Sequence, residues 1–136
     1  MTHKLKFLLL SMMAVISLSI FTSCETDEDI GYGLSGAFGK TWYGDFGSVD
    51  GYGEPVYSEI MFLSGRSDSY GSGWERTYYY DGYPAYSDTF DWEVINGVLY
   101  LYYQLQGEWR IYDYHITHDT FRGYKGDFYF QLHLDY

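Results

Sequence analysis

Asn96-Gly97 stands between two runs of alternating apolar and polar residues, and it constrains the fold of this chain more than any other feature. Both central residues of a two-residue hairpin turn need positive φ, which Asn and Gly tolerate best. With Asn96-Gly97 as that turn, Ile95 faces Val98, Val94 faces Leu99, Trp92 faces Leu101 and Phe90 faces Tyr103. One face of the hairpin then carries Phe90, Trp92, Val94, Leu99, Leu101 and Tyr103. The other carries Asp91 and Glu93 across from Tyr102 and Tyr100. A one-residue slip would turn every apolar side chain to the polar side. Turn chemistry and residue pattern therefore specify the same register.

The C-terminal run repeats the logic. Phe128, Phe130, Leu132, Leu134 and Tyr136 alternate with Asp127, Tyr129, Gln131, His133 and Asp135, as expected of a strand with one buried and one wet face. Further strands are predicted over 42–46, 57–63, 74–80, 110–116 and 120–124. Gly65-Arg66, Gln106-Gly107, His118-Asp119 and Lys125-Gly126 supply turns. Aromatic residues make up 23% of the chain, with 18 tyrosines, a composition suited to strands rather than helices. No helical periodicity is visible after Thr41. About eight short strands with short connections predict an all-β, antiparallel up-and-down meander. Closing it into a barrel removes both exposed edges; a β-sandwich or open half-barrel is the alternative.

The N-terminal region has a different character. Lys4 and Lys6 precede an apolar run over 7–20, and Phe21-Thr22-Ser23 leads into Cys24, the only cysteine. This is the layout of a secretion signal whose cleavage leaves a cysteine for acylation. The run is shorter than the ~20 apolar residues of a membrane-spanning helix. With no second cysteine, an intrachain disulfide is impossible. Residues 1–23 are thus expected to be a lipoprotein signal peptide and Cys24 the lipidation site, with fatty acyl chains such as palmitate as the membrane anchor. Glu25-Thr26-Asp27-Glu28-Asp29 carries four acids in five residues. It reads as a repelling, extended tether, continued flexibly through the Gly- and Ser-containing stretch to Lys40. The domain is expected over 41–136.

The full chain has 8 basic and 19 acidic residues, net −11. Removing residues 1–23 takes away Lys4 and Lys6 and no acid, leaving a net −13. Such a charge repels phosphate backbones and excludes nucleic acid as a partner class.

Few residues carry recognisable chemistry. His115 and His118 of His115-x-x-His118-Asp119 point to opposite faces of a strand, and no third ligand is placed by spacing; they read as polar turn residues, and neither metal nor cofactor is expected. There is no Gly-x-Ser-x-Gly elbow, and Asp91 and Glu93 fall on the wet face of the hairpin. No enzyme activity is expected. Trp74, Tyr78, Tyr79, Tyr80, Tyr83 and Tyr86 cluster around a turn at Asp81-Gly82 and Pro84. They either line the barrel wall or form a stacking platform for sugars. Trp74, Tyr78, Tyr80, Tyr83 and Tyr86 are the candidate ligand-binding residues.

Several segments together resemble a known family. Gly39-Lys40-Thr41-Trp42 opens the domain. Phe90-Asp91-Trp92-Glu93-Val94-Ile95-Asn96-Gly97 follows, then Leu99-Tyr100-Leu101, then Trp109 to Ile116, then Phe121-Arg122-Gly123. The set is similar to the small lipocalin-like lipoproteins of Bacteroidetes, and the acidic run after Cys24 resembles their surface-export signal. The resemblance implies a lipocalin-like barrel, an outer-membrane, cell-surface location and no catalytic residues. The expected function is a tethered binding module for a small apolar molecule or a glycan. The alternative is a protein-interaction module, an inhibitor or accessory subunit of an envelope complex.

Overall fold

The computed structural model describes residues 25–134. Eight strands follow one helix: α1 (Asp27–Ser35), β1 (Lys40–Gly44), β2 (Tyr57–Ser64), β3 (Tyr70–Tyr78), β4 (Pro84–Ile95), β5 (Val98–Tyr103), β6 (Gly107–Ile116), β7 (Thr120–Lys125) and β8 (Phe128–Leu134). Each strand pairs antiparallel with the next, and β8 returns to β1 through Trp42 opposite Leu134 and Tyr43 opposite His133. The meander is therefore a closed eight-stranded barrel, not a sandwich or half-barrel. Cys24, Asp135 and Tyr136 lie outside the described residues.

The β4–β5 hairpin has the register dictated by its turn. Phe90 pairs Tyr103, Trp92 pairs Leu101, Val94 pairs Leu99 and Ile95 pairs Val98. Asn96 and Gly97 have φ of 49° and 79°. β3 starts earlier than expected, at Tyr70, and β4 at Pro84 rather than near Thr89. The reason is side-chain volume. Gly71 and Gly73 sit opposite Trp92 and Phe90, and a Cβ on Gly73 would fall 2.5 Å from the Phe90 ring. The glycines make room for two inward aromatic rings, although glycine in a sequence argues against a strand.

The interior is filled. Trp42, Phe46, Ile60, Phe62, Phe90, Trp92, Leu99, Leu101, Ile111, Phe121, Phe130 and Leu132 pack into one buried cluster. Their rings meet edge to face, as in Phe62 with Phe90 at 5.3 Å and Phe121 with Phe130 at 5.0 Å, a geometry aromatic quadrupoles favour.

The acidic stretch expected to be an extended tether is instead mostly helix α1, docked across one end of the barrel. Thr26 caps it: its hydroxyl accepts from the Asp29 N–H at 3.1 Å while the Asp29 carboxylate accepts from the Thr26 N–H. The remaining acids are also accommodated. Asp27, Glu28 and Asp29 occupy the first turn, where the helix dipole favours negative charge. Asp27 reaches across to accept from the N–H groups of Asn96 and Gly97 at 3.0 and 2.8 Å. Ile30 and Leu34, four residues apart on one helical face, enter the core. The Trp42 indole donates to the Leu34 carbonyl at 3.0 Å. Gly31 is a packing residue, since a Cβ there would lie 1.6 Å from the Asp68 carbonyl oxygen. The folded unit therefore includes α1.

Candidate functional site

The strand directions put the Asn96-Gly97 turn, α1 and both ends of the described chain at one end of the barrel. The other end, the mouth, gathers the 45–56 loop, the turn after β3 and the turns after β5 and β7. It differs from the apolar centre in having charged groups inside the wall.

Glu75 is the deepest of these, with 0% exposure. It faces inward because it shares the period-two row of Gly71 and Gly73 on β3. Its carboxylate accepts from the hydroxyls of Ser48 at 2.6 Å, Ser58 at 2.5 Å and Tyr103 at 2.6 Å. A buried carboxylate persists only when so satisfied. Lys125, 4% exposed, donates to the Ser48 oxygen at 3.3 Å. Its ammonium lies 4.5 Å from the centre of the Phe46 ring and 5.0 Å from that of Trp109. Burial lowers the Lys125 pKa, while the Glu75 and Asp45 charges oppose that shift. Asp88, also buried, accepts from the N–H groups of Leu105 and Gln106 and holds the β5–β6 turn.

On the outer wall near the same end runs a row of tyrosines. Tyr43 on β1 lies 5.3 Å from Tyr57 on β2, Tyr57 stacks on Tyr78 of β3 at 5.5 Å and 20°, and Tyr80 leans over Tyr57 at 6.0 Å. Carboxylates edge the row: Tyr78 donates to Glu59 at 3.4 Å, Tyr80 to Asp45 at 3.3 Å and the neighbouring Tyr79 to Asp50 at 2.9 Å. The row arises because alternate residues of adjacent strands share a face, with Tyr57 directly opposite Tyr78.

The five residues singled out from sequence are thus divided. Tyr78 and Tyr80 join the row. Trp74 is on the same outer face, but the Arg76 guanidinium covers its ring at 4.4 Å. Tyr83 stands at the turn, 72% exposed, outside the row's ring contacts. Tyr86 turns toward the barrel, where burial first and then the Glu75 charge push its pKa up to about 12. Tyr43 and Tyr57 were missed because they are distant in sequence; register alone brings them beside Tyr78. Glu75 was missed because an acid on a strand reads by default as solvated. Its inward position was visible only in its phase with Gly71 and Gly73.

His115 and His118 are exposed and line an open cleft of about 560 Å³ between α1 and the β6–β7 hairpin, with Asp29, Tyr32, Lys40 and Tyr114. Among the described residues, no group of three or more His, Cys, Asp or Glu is placed to hold a metal ion.

No protein-family model matches the chain, and neither a curated protein nor a solved structure matches it. The class defined by fold and site is a closed, filled, antiparallel eight-stranded barrel with an acidic, tyrosine-rich mouth.

Tyrosines along the barrel also set an alkaline limit. Tyr86, Tyr102 and Tyr114 are pushed up to about 12, chiefly by burial for Tyr86 and Tyr114 and by the hydrogen bond to Glu93 for Tyr102; Tyr103 lies higher still, raised by burial and then Glu75. From pH 10 to about 12 the unfolded chain therefore releases protons that the folded chain retains, so stability falls as pH rises. The depressed Lys125 acts in the opposite sense below its unfolded value, 10.5, but it is one group against these four and the likewise raised Tyr78, Tyr79 and Tyr80. Phenolate absorbance followed with near-ultraviolet circular dichroism should show these tyrosines ionising together with loss of tertiary structure. Independent titration near pH 10 with the fold intact would contradict this.

Proposed function

We propose that the protein is a non-catalytic glycan-binding module, a lipocalin-like lipoprotein anchored through acyl chains on Cys24 at the outer surface of the outer membrane. The observation that carries the reading is the tyrosine row. Tyr43 and Tyr80 are exposed and Tyr57 and Tyr78 half-buried, so the row offers partly open ring surface, and Asp45 and Glu59 give acceptors for sugar hydroxyls beside it. The filled interior favours recognition on the wall over carriage of an apolar molecule inside. Anchorage at Cys24 suits this arrangement. Only Glu25 and Thr26 separate it from α1, a span of about 10 Å at full stretch. The α1 end then faces the bilayer, and the mouth with its tyrosine row faces outward.

Cells carrying the full-length protein and probed with fluorescent neutral glycans test both parts. The wild type should sediment with membranes and bind at least one glycan. Tyr57→Ala should stay membrane-bound and lose that binding at least tenfold. Cys24→Ser should release the protein from the membrane. Unchanged binding by Tyr57→Ala would refute the site, and membrane retention of Cys24→Ser would refute the anchor.

A second reading has its own observation. Tyr112, Tyr124 and Tyr129 form another outward row across β6, β7 and β8, with Tyr124 and Tyr129 at 5.3 Å. Tyrosines are enriched in protein interfaces, so this side suits an envelope protein partner. Crosslinking of that partner through the second row, with no glycan binding by the first, would select this reading.

A further inference from the structure

We propose that Phe46-Gly47-Ser48 is a displaceable internal plug, and that it occupies a second carbohydrate site inside the barrel mouth formed by Glu75, Lys125, Ser58, Tyr103 and Trp109. The inference deepens the glycan reading and rests on it.

The plug imitates a sugar residue. A pyranose offers hydroxyls that donate and accept at once, beside an apolar C–H face. The Ser48 hydroxyl donates to the Glu75 carboxylate at 2.6 Å and accepts from the Lys125 ammonium at 3.3 Å. Two residues before it, the Phe46 ring supplies the apolar face, 4.8 Å from Phe130 and below the Lys125 ammonium. A carboxylate and an ammonium bridged by one hydroxyl, with aromatic walls, is a constellation that binds a neutral sugar.

The plug fills the site and satisfies it only in part, through the Ser48 oxygen and the Phe46 ring face. Lys125 has three N–H donors, yet among the described residues it makes one hydrogen bond, to Ser48. The indole N–H of Trp109 is buried and has no partner there. Buried donors without acceptors are rare in native proteins and call for an explanation. The further hydroxyls and ring oxygen of a sugar are acceptors that Phe46 and Ser48 lack.

The plug is a short segment carried at the base of one hairpin. Gly44 and Gly47, with φ of 152° and 75°, flank Asp45 and Phe46 in conformations that other residues resist, and their backbone passes close to the Gln131 carbonyl and the Phe128 ring. The loop beyond is an exposed hairpin closed by the Val49–Pro55 bridge and the Asp50 turn. A hydrogen bond from Tyr79 to Asp50 holds its tip to the turn after β3. Lifting this hairpin withdraws Phe46 and Ser48 together and leaves Glu75 and Lys125 in the wall.

The test is a ¹⁵N nuclear magnetic resonance titration of the full chain with the methyl glycosides of glucose, galactose, mannose and N-acetylglucosamine. The Trp109 indole N–H is the reporter. Phe46→Ala with Ser48→Gly should bind at least one glycoside tenfold or more tighter than the wild type and shift the Trp109 signal. Adding Lys125→Met should abolish the shift. Tyr79→Phe, which frees the hairpin tip from Asp50 and leaves the core side chains in place, replaces the double variant if that fails to fold; it should bind the same glycoside more tightly than the wild type and shift the Trp109 signal. Absence of any Trp109 shift in a folded plug variant would overturn the interior site. Shifts confined to the Tyr57 row and indifferent to Lys125→Met would overturn it while leaving the outer site standing. A Trp109 shift that persists in Tyr57→Ala, with no response at the outer row, would uphold the interior site and remove the outer one.

Discussion

Replacing Gly31 with alanine is expected to lower folding stability by about 3–5 kcal/mol, the combined cost of undocking α1. The added methyl would lie 1.6 Å from the Asp68 carbonyl oxygen and 2.7 Å from its carbon. Both are backbone atoms, which cannot swing aside as a side chain would. Relief requires lifting the helix. That exposes Ile30 and Leu34, each contributing about 1.5–3 kcal/mol by burial. It also removes the Leu34 carbonyl from the Trp42 indole and the Asp27 carboxylate from the Asn96-Gly97 turn. The gain in helix propensity, about 1 kcal/mol for alanine over glycine, offsets only part of this. Gly33→Ala is the control. Its Cβ would meet only an Ile116 methyl at 3.3 Å, a neighbour able to give way, so its effect should lie within about 1 kcal/mol of zero, because the same propensity gain applies. Urea unfolding of the two variants measures the difference. Equal midpoints would mean that α1 is not docked.

Glu75→Ala is expected to cost about 3–5 kcal/mol, the usual penalty for removing one member of a buried charged network. The hydroxyls of Ser48, Ser58 and Tyr103 lose their shared acceptor, and the buried Lys125 ammonium loses the nearby negative charge that favours it. Glu75→Gln keeps an acceptor oxygen and should cost less. Combining Glu75→Ala with Lys125→Met should recover part of the loss, because the uncompensated cation is gone. Strictly additive urea midpoints in that double-mutant cycle would show the two groups to be uncoupled.

The parts of the fold visible in the sequence are those set by local chemistry. Asn96-Gly97 imposes its turn whatever surrounds it, and the alternation beside it then fixes which side chains are buried. The parts that were hidden depend on distant atoms. Gly31 and Gly73 look like flexibility or strand breaks, yet each exists because another group, the Asp68 carbonyl or the Phe90 ring, occupies the space a Cβ would need. The acids over 25–29 look mutually repulsive until the Asn96-Gly97 amides and the helix N-terminus supply partners for them. At the mouth, Tyr78 and Tyr80 were recognisable as a cluster. Tyr43 and Tyr57 join them only through strand pairing, and Tyr86 leaves them because its strand turns it inward toward Glu75.

The most direct test of recognition at the outer tyrosine row is a residue-resolved nuclear magnetic resonance map of the wild-type protein titrated with neutral glycans. The account predicts shifts concentrated at Tyr43, Tyr57, Tyr78 and Tyr80, with α1 and the Tyr112–Tyr124–Tyr129 row unmoved. Shifts confined to the α1 end, or no shifts with any glycan, would contradict it.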